Sequence, residues 1–202
     1  MTTIINYNLG NPKSIKNMLA YLGFDSIISS DPLVISSSDR LILPGVGHFQ
    51  HGMEQLEKLG LVDILNKVVL EKKTPILGIC LGMQLLTKHS EEGNLDGLGY
   101  IDARTKKFQL RDKTLKIPHM GWNTVSFCKN SEITKGISEH PRYYFVHSYF
   151  VECTREEDIL CMTDYGQTFV SGFQQSNIFG LQFHPEKSHK YGMELLANFC
   201  KI

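Results

Sequence analysis

The 202-residue sequence carries no surplus of either charge: 21 Lys and Arg balance 21 Asp and Glu. That balance supplies no electrostatic attraction for nucleic acid or for an acidic membrane surface. No apolar run approaches the length needed to span a bilayer. The first residues, Met1-Thr2-Thr3-Ile4-Ile5-Asn6, lack a basic segment and a long apolar core, so they read as a first strand and not as a signal peptide. Cysteine is sparse and odd in number: Cys80, Cys128, Cys153, Cys161 and Cys200, with no pair at metal-clip spacing. This usage reads as reduced thiols in a cytoplasmic protein. His119, His140, His147 and His189 show no paired ligand spacing, so no metal is expected, and no cofactor. Repeats, low-complexity segments and linkers are missing too, and the length suits one compact domain over residues 1–202.

What is present begins with an alternation. Thr2–Asn6 is strand-like, and Pro12–Leu22 has helical spacing through Ile15, Met18, Leu19 and Leu22, stopped by Gly23. Ser26–Ser29 and Arg40–Leu43 read as strands, the latter running into Pro44-Gly45-Val46-Gly47. Leu61–Leu70 reads as a helix, Ile76–Ile79 as a strand and Met83–His89 as a helix. This order predicts an α/β fold with a doubly wound, mostly parallel sheet, whose ligand crevice lies at the carboxyl ends of the strands. The second half is richer in strands: Asn123–Phe127, Tyr143–Val151, Ile159–Thr163, Thr168–Gln174 and Ile178–Phe183, closed by a helix over Tyr191–Cys200. Additional antiparallel strands are therefore expected there.

Cys80 is the most informative residue. In Ile76-Leu77-Gly78-Ile79-Cys80-Leu81-Gly82-Met83-Gln84 an apolar strand ends at the sulfur and a helix-like run starts after it, with glycines two residues to either side. That is the pattern of a nucleophile elbow, a turn so sharp that only small residues fit at its flanks. The helix start offers free N–H groups and positive potential to a thiolate or an oxyanion. Phe183-His184-Pro185-Glu186 closes another apolar run about a hundred residues later. A cysteine nucleophile needs a base, and the base needs a partner that fixes its tautomer. If the segment is extended, period-two alternation turns His184 and Glu186 the same way. A lone cysteine after a strand is more often core, and a lone His-Pro more often a turn. The two motifs together, with the glycine spacing intact, favour a Cys80–His184–Glu186 triad.

Other segments are less specific. Pro44–Gly47 is too short for a phosphate loop and lacks its Lys-Ser/Thr ending. Beside a nucleophile it can supply one oxyanion amide and Leu81 the other, while alone it is an ordinary tight turn. Ser90-Glu91-Glu92-Gly93 can meet a substrate ammonium or be a solvated helix end. Gln84 lies one helical turn beyond Cys80, on its face. Trp122, the only tryptophan, sits in the Gly/Pro-containing segment Pro118–Asn123 as packing anchor or interface residue. Tyr143–Tyr149 reads equally well as a core strand with aromatic alternation.

On these residues the chain resembles class I glutamine amidotransferases, and more closely the glutaminase subunits of imidazole glycerol phosphate synthases. The likeness runs through Gly10-Asn11 with Ser14, Pro44–Gly47, Gly78–Gln84, Ser90–Gly93, Pro118–Asn123, Tyr144–Tyr149 and His184–Ser188. It implies that Cys80 attacks the glutamine side-chain amide, that His184 moves the proton and that Glu186 stands behind it. It implies an oxyanion site along Gly45, Val46, Gly47 and Leu81, and substrate contacts from Gln84, Glu92, Asn11, His147 and Ser148. Trp122, Tyr144 and Lys187 would face the partner, a (βα)8-barrel cyclase on another chain that uses the ammonia for imidazole glycerol phosphate formation in histidine biosynthesis. The pair would form a heterodimer. Asn6 stands where most relatives are expected to have Asp. That departure leaves the triad untouched and keeps open a paralogous glutaminase serving amino-sugar amidation in surface-polysaccharide synthesis. A non-catalytic interaction subunit and a cysteine peptidase of related fold are the readings from other classes.

Overall fold

The computed structural model describes residues 1–202. Its strands, in chain order, are β1 (Thr2–Ile5), β2 (Ser26–Ser29), β3 (Arg40–Leu43), β4 (Ile76–Ile79), β5 (Thr87–Ser90), β6 (Leu95–Asp96) and β7 (Ile101–Lys107). These are followed by β8 (His119–Thr124), β9 (Ser126–Phe127), β10 (Arg142–His147), β11 (Tyr149–Cys153), β12 (Ile159–Asp164), β13 (Thr168–Gln175) and β14 (Ile178–Leu181). The helices are α1 (Pro12–Tyr21), α2 (Pro32–Ser36), α3 (Phe49–Lys58), α4 (Leu61–Leu65, continuing as a π-helix over Asn66–Glu71), α5 (Leu81–Leu85) and α6 (His189–Phe199).

One large sheet runs in the order β2-β1-β3-β4-β14-β13-β11-β7-β5-β6, with β12 pairing to β13 and β9 to β12. From β2 to β14 every pairing is parallel, and β14 to β13 and β13 to β11 are antiparallel. The parallel strands are buried almost throughout, as expected when helices cover both faces. Alternate strand residues divide between two cores. Ile4, Ile42, Leu77 and Ile79 pack with Ile15 and Leu19 of α1 and Leu195, Leu196 and Phe199 of α6. Ile5, Leu41, Leu43 and Ile76 pack with Phe49, Met53 and Leu56 of α3, Leu61 and Leu65 of α4, and Leu81 and Leu85 of α5. Each fully buried Leu, Ile or Phe contributes about 1.5–3 kcal/mol by leaving water.

β8 and β10 form a separate antiparallel ribbon. This corrects the expectation of a single strand over Tyr143–Val151. Ser148 interrupts it, β10 pairs with β8, and β11 joins the main sheet beside β7. The helix expected over Met83–His89 is also corrected. The five-residue α5 stops at Leu85, and Thr87–Ser90 pairs with β7 as a strand, since Thr87 is buried facing Thr105 and no apolar face remains to hold a longer helix. The run Leu61–Leu70 changes from α to π at Asn66.

Candidate active site

β4 and β14 are parallel neighbours in register, Ile79 opposite Leu181, so both chains leave the sheet at the same edge. The Cys80 N–H closes the pairing by donating to the Leu181 carbonyl at 2.7 Å. Cys80 then turns with φ 54° and ψ −110°, a backbone conformation a non-glycine residue holds only when its surroundings impose it. Here the cause is steric. A Cβ on Gly78 would lie 2.6 Å from the Gly82 carbonyl oxygen, and one on Gly82 would overlap the Leu43 carbonyl oxygen. Gly45 is packed equally hard: its Cβ would meet Tyr7 Oη at 2.5 Å and Leu81 Cβ at 2.8 Å. The ends of β3 and β4 and the start of α5 thus approach within backbone contact, and the Cys80 side chain is left at the tip, 6% exposed.

His184 follows β14 on the same edge. Its Nδ1 is 2.8 Å from Glu186 Oε1, and both side chains are almost wholly buried. The expected extended geometry does not occur: Pro185–Lys187 is a 3₁₀ turn, because His184 has φ −100° and ψ 94° and the proline then turns the chain. Glu186 reaches the imidazole from that turn. α6 packs against it through Gly192, where a Cβ would overlap the Pro185 carbonyl oxygen. The main chain of His184 is held by its N–H to the Tyr144 carbonyl at 2.9 Å. The buried Ser188 hydroxyl donates to the His184 carbonyl at 2.6 Å and accepts from the Tyr144 N–H at 3.0 Å. His184 Nε2 and Glu186 Oε2 are buried without a hydrogen-bond partner. Burial disfavours the imidazolium, but the interactions with Cys80 and Glu186 outweigh it and raise the His184 pKa to about 10. The Cys80 sulfur itself lies 3.9 Å from the Val146 carbonyl on β10.

A cleft of about 300 Å³ opens over the sulfur, lined by Val46, Gly47, Cys80, Leu81, Gln84, Glu92, Pro118, Val146, His147, Ser148 and Tyr149. Seven of the expected oxyanion and substrate residues are thus brought to one cavity with Cys80: Val46, Gly47, Leu81, Gln84, Glu92, His147 and Ser148. Val46 and Gly47 are exposed, on the segment after β3. Glu92 accepts from the Phe49 N–H at 2.8 Å, so one carboxylate oxygen is spent on the start of α3. Two expected residues lie elsewhere. Asn11 caps α1, accepting from the Ser14 N–H at 3.2 Å, and does not line the cleft. Gly45 is buried behind it, where its lack of a side chain allows β3 to meet α5.

Trp122, Tyr144 and Lys187 gather outside the cleft. The Trp122 and Tyr144 rings are 6.3 Å apart, opposite each other on the β8–β10 ribbon, and Lys187 Nζ is 5.8 Å from the Tyr144 ring. His189 stacks on Trp122 at 5.3 Å. Trp122 and the neighbouring Met120 are 40% and 61% exposed.

Three residues around the site, His119, Tyr7 and Gln182, were not read from the sequence, and the expected His147 meets the first of them. His119 and His147 face each other on the ribbon, with His119 Nδ1 3.0 Å from His147 Nε2 and His147 Nδ1 2.7 Å from the Tyr149 carbonyl. Burial pushes them down to about 4 and about 3, so both are neutral near pH 7. Tyr7 donates to the Pro44 carbonyl at 2.6 Å beneath the Gly45 segment, and burial pushes its hydroxyl pKa up. Gln182 is wholly buried beside Cys80. Only its place two residues before His184 hinted at it.

The family model described as glutamine amidotransferase class-I matches residues 3–202. Imidazole glycerol phosphate synthase subunit HisH 2 of Methanococcus maripaludis is 56% identical over 201 residues, covering 100% of this chain and 99% of that protein. Imidazole glycerol phosphate synthase subunit HisH 2 of Pseudomonas aeruginosa is 46% identical over 202 residues, with 100% of each covered. Among solved structures, PurLQS from Thermotoga maritima superposes with a TM-score of 0.71 at 17% identity, covering 99% of this chain and 96% of that one. At that identity the likeness concerns the fold.

Proposed function

The chain belongs to the class-I glutamine amidotransferase family, and we propose that it is the glutaminase subunit of an imidazole glycerol phosphate synthase acting in histidine biosynthesis. The observation that supports the reading is that Cys80 and His184 follow the neighbouring strands β4 and β14 on one sheet edge, with Glu186 bonded to His184, beside a cleft that holds Gln84, Glu92 and the exposed Val46–Gly47 segment. In the mechanism, the Cys80 sulfur attacks the side-chain carbonyl carbon of glutamine while His184 Nε2 takes its proton. The oxyanion is held by the Leu81 amide at the start of α5 and the Val46 amide on the exposed strand end. Collapse of the adduct gives a glutamyl thioester, and His184 returns the proton to the leaving ammonia. A water deprotonated by His184 then attacks the thioester, releasing glutamate and restoring the thiol. Glu186 accepts from Nδ1–H and so fixes the ring with Nε2 as the atom that carries the proton between the sulfur and the leaving group. Gln84, Glu92 and the Ser148 segment hold the amino-acid end of glutamine.

The ammonia acceptor sits on a partner, a (βα)8-barrel cyclase, which would dock on the exposed Trp122 and Lys187 and the half-buried Tyr144 between them. The position of Tyr144, whose main chain is bonded to His184 and Ser188, supports control of hydrolysis by docking. Asn6, where most relatives are expected to have Asp, keeps as second reading the paralogue serving amino-sugar amidation. One assay decides. The chain is mixed with histidine-pathway and sugar-pathway barrel partners and glutamine-dependent product is measured. Imidazole glycerol phosphate formation, lost in Cys80→Ala and restored by added ammonium, is the expected result. Activity only with the sugar-pathway partner overturns the histidine assignment and leaves the triad chemistry standing.

A further inference from the structure

Gln182 is the first residue after β14 and is wholly buried. Its N–H donates to the Ser171 carbonyl at 2.9 Å, which holds its main chain to β13. Its side-chain Nε2 is 3.7 Å from the Cys80 sulfur, and its Oε1 is 3.0 Å from Gln84 Nε2. Gln84 Nε2 is also 3.3 Å from the Tyr149 carbonyl. An amide can be turned either way in principle, but here one neighbour decides both. The Tyr149 carbonyl only accepts, so the Gln84 atom facing it is the NH₂ group. That group's second hydrogen meets Gln182, which must present its oxygen. Gln182 then has its own NH₂ group on the side of the sulfur. With both Gln84 hydrogens engaged, its Oε1 is the free polar atom of a side chain that lines the cleft.

We propose that Gln182 is a further catalytic residue, whose amide, aimed by Gln84 and the Tyr149 carbonyl, donates a hydrogen bond to the Cys80 sulfur and holds it as thiolate. The proposal rests on Cys80 being the nucleophile of the glutaminase reading. An apolar side chain of the same size would fill the space without desolvating an amide. The amide is useful because negative charge on sulfur strengthens the bond: hydrogen bonds to charged groups exceed those between neutral groups. The two groups beside the sulfur then divide the work. His184, with Nε2 unpartnered, takes the proton, and Gln182 steadies the charge left behind. The same chain of amides turns an acceptor, Gln84 Oε1, toward the cleft, where the ammonium of an amino acid can donate to it.

The test is the pH profile of Cys80 alkylation by iodoacetamide, read peptide by peptide by mass spectrometry in the full chain, with exposed Cys128 as internal reference. Gln182→Met keeps the volume and removes the donor. It should raise the Cys80 midpoint by about one pH unit and so slow alkylation about tenfold at pH values below the midpoint, with Cys128 unchanged. Gln182→Glu keeps an acceptor for Gln84 and sets a carboxylate against the sulfur, and its midpoint should rise further. Unchanged midpoints in the folded variants overturn the proposal. If neither variant folds, the wild-type chain answers: the Gln182 side-chain ¹⁵N–¹H signals should shift as Cys80 titrates, and signals that stay fixed overturn it. Failure of a glutamine-derived chloroketone to label wild-type Cys80 would instead remove the glutaminase reading beneath.

Discussion

On the nucleophile side of the cleft the constraint is steric, and on the base side it is mostly hydrogen bonding. Gly78, Gly82 and Gly45 let three backbones meet, and the resulting crowding holds Cys80 at φ 54° with little help from side chains. His184 is placed by a carboxylate, a serine hydroxyl and a strand carbonyl, with Gly192 packed against the neighbouring Pro185. Steric confinement gives one rigid position. Hydrogen bonds give a position that can be adjusted, and these run directly to Tyr144 on the exposed ribbon. The difference suits the proposed roles, a thiol that must stay put and a base that would respond to a docked partner.

The comparison can be broken from either side. Cys80→Ala should abolish glutamine hydrolysis, a loss of about 10⁴-fold or more in kcat, with fold and partner binding retained, as read by circular dichroism and titration calorimetry. Gly82→Ala should cost more than about 3 kcal/mol in urea unfolding, because the Leu43 carbonyl cannot withdraw from the added methyl. Glu186→Gln should leave the fold intact but lower kcat by about 10²-fold or more. It should also bring the His184 pKa down from about 10, since one of the interactions that raise it is gone. Imidazole NMR titration reads that shift, and a pKa unchanged at about 10 would mean that Glu186 is not its partner. Ser188→Ala should cost about 1–3 kcal/mol by leaving a buried N–H unpaired, and should reduce the partner's activation of hydrolysis more than the basal rate.

The neutral pair His119 and His147 gives a subtler effect. Their pKa values in the fold are about 4 and about 3, below the ordinary 6.5, so the unfolded chain takes up protons first as pH falls. Stability should therefore decline from about pH 6.5 downward and level off below their folded values. Urea midpoints between pH 7 and pH 4 check this, and His119→Gln should flatten the decline.

Much of the fold was legible because the parallel strands announce themselves as short apolar runs. Ser26–Ser29, Arg40–Leu43 and Ile76–Ile79 occur where composition and glycine punctuation place them. The helices α2 and α3 were not read. Phe49–Lys58 has its apolar residues spread among Gln, His and Glu, and its start depends on Glu92 and His48 meeting its first N–H groups. The division of Tyr143–Tyr149 between two sheets was equally invisible, since alternation is the same whichever strand is the neighbour.

Local sequence alone determined the elbow at Cys80, the His184-Pro185-Glu186 pairing and the alternation that sets both at strand ends, because close backbone approach demands glycine at fixed spacing. Only the tertiary structure decided which ends meet. β4 beside β14 joins residues a hundred positions apart and gives the Gln84–Gln182–Cys80 chain, while the β8–β10 ribbon gives the facing histidines and, laid against the end of β14, the Ser188 link. A hydrogen bond across such separations leaves no periodic trace in sequence. Its partners are ordinary glutamines, histidines and serines until the sheet brings them within three to four ångströms.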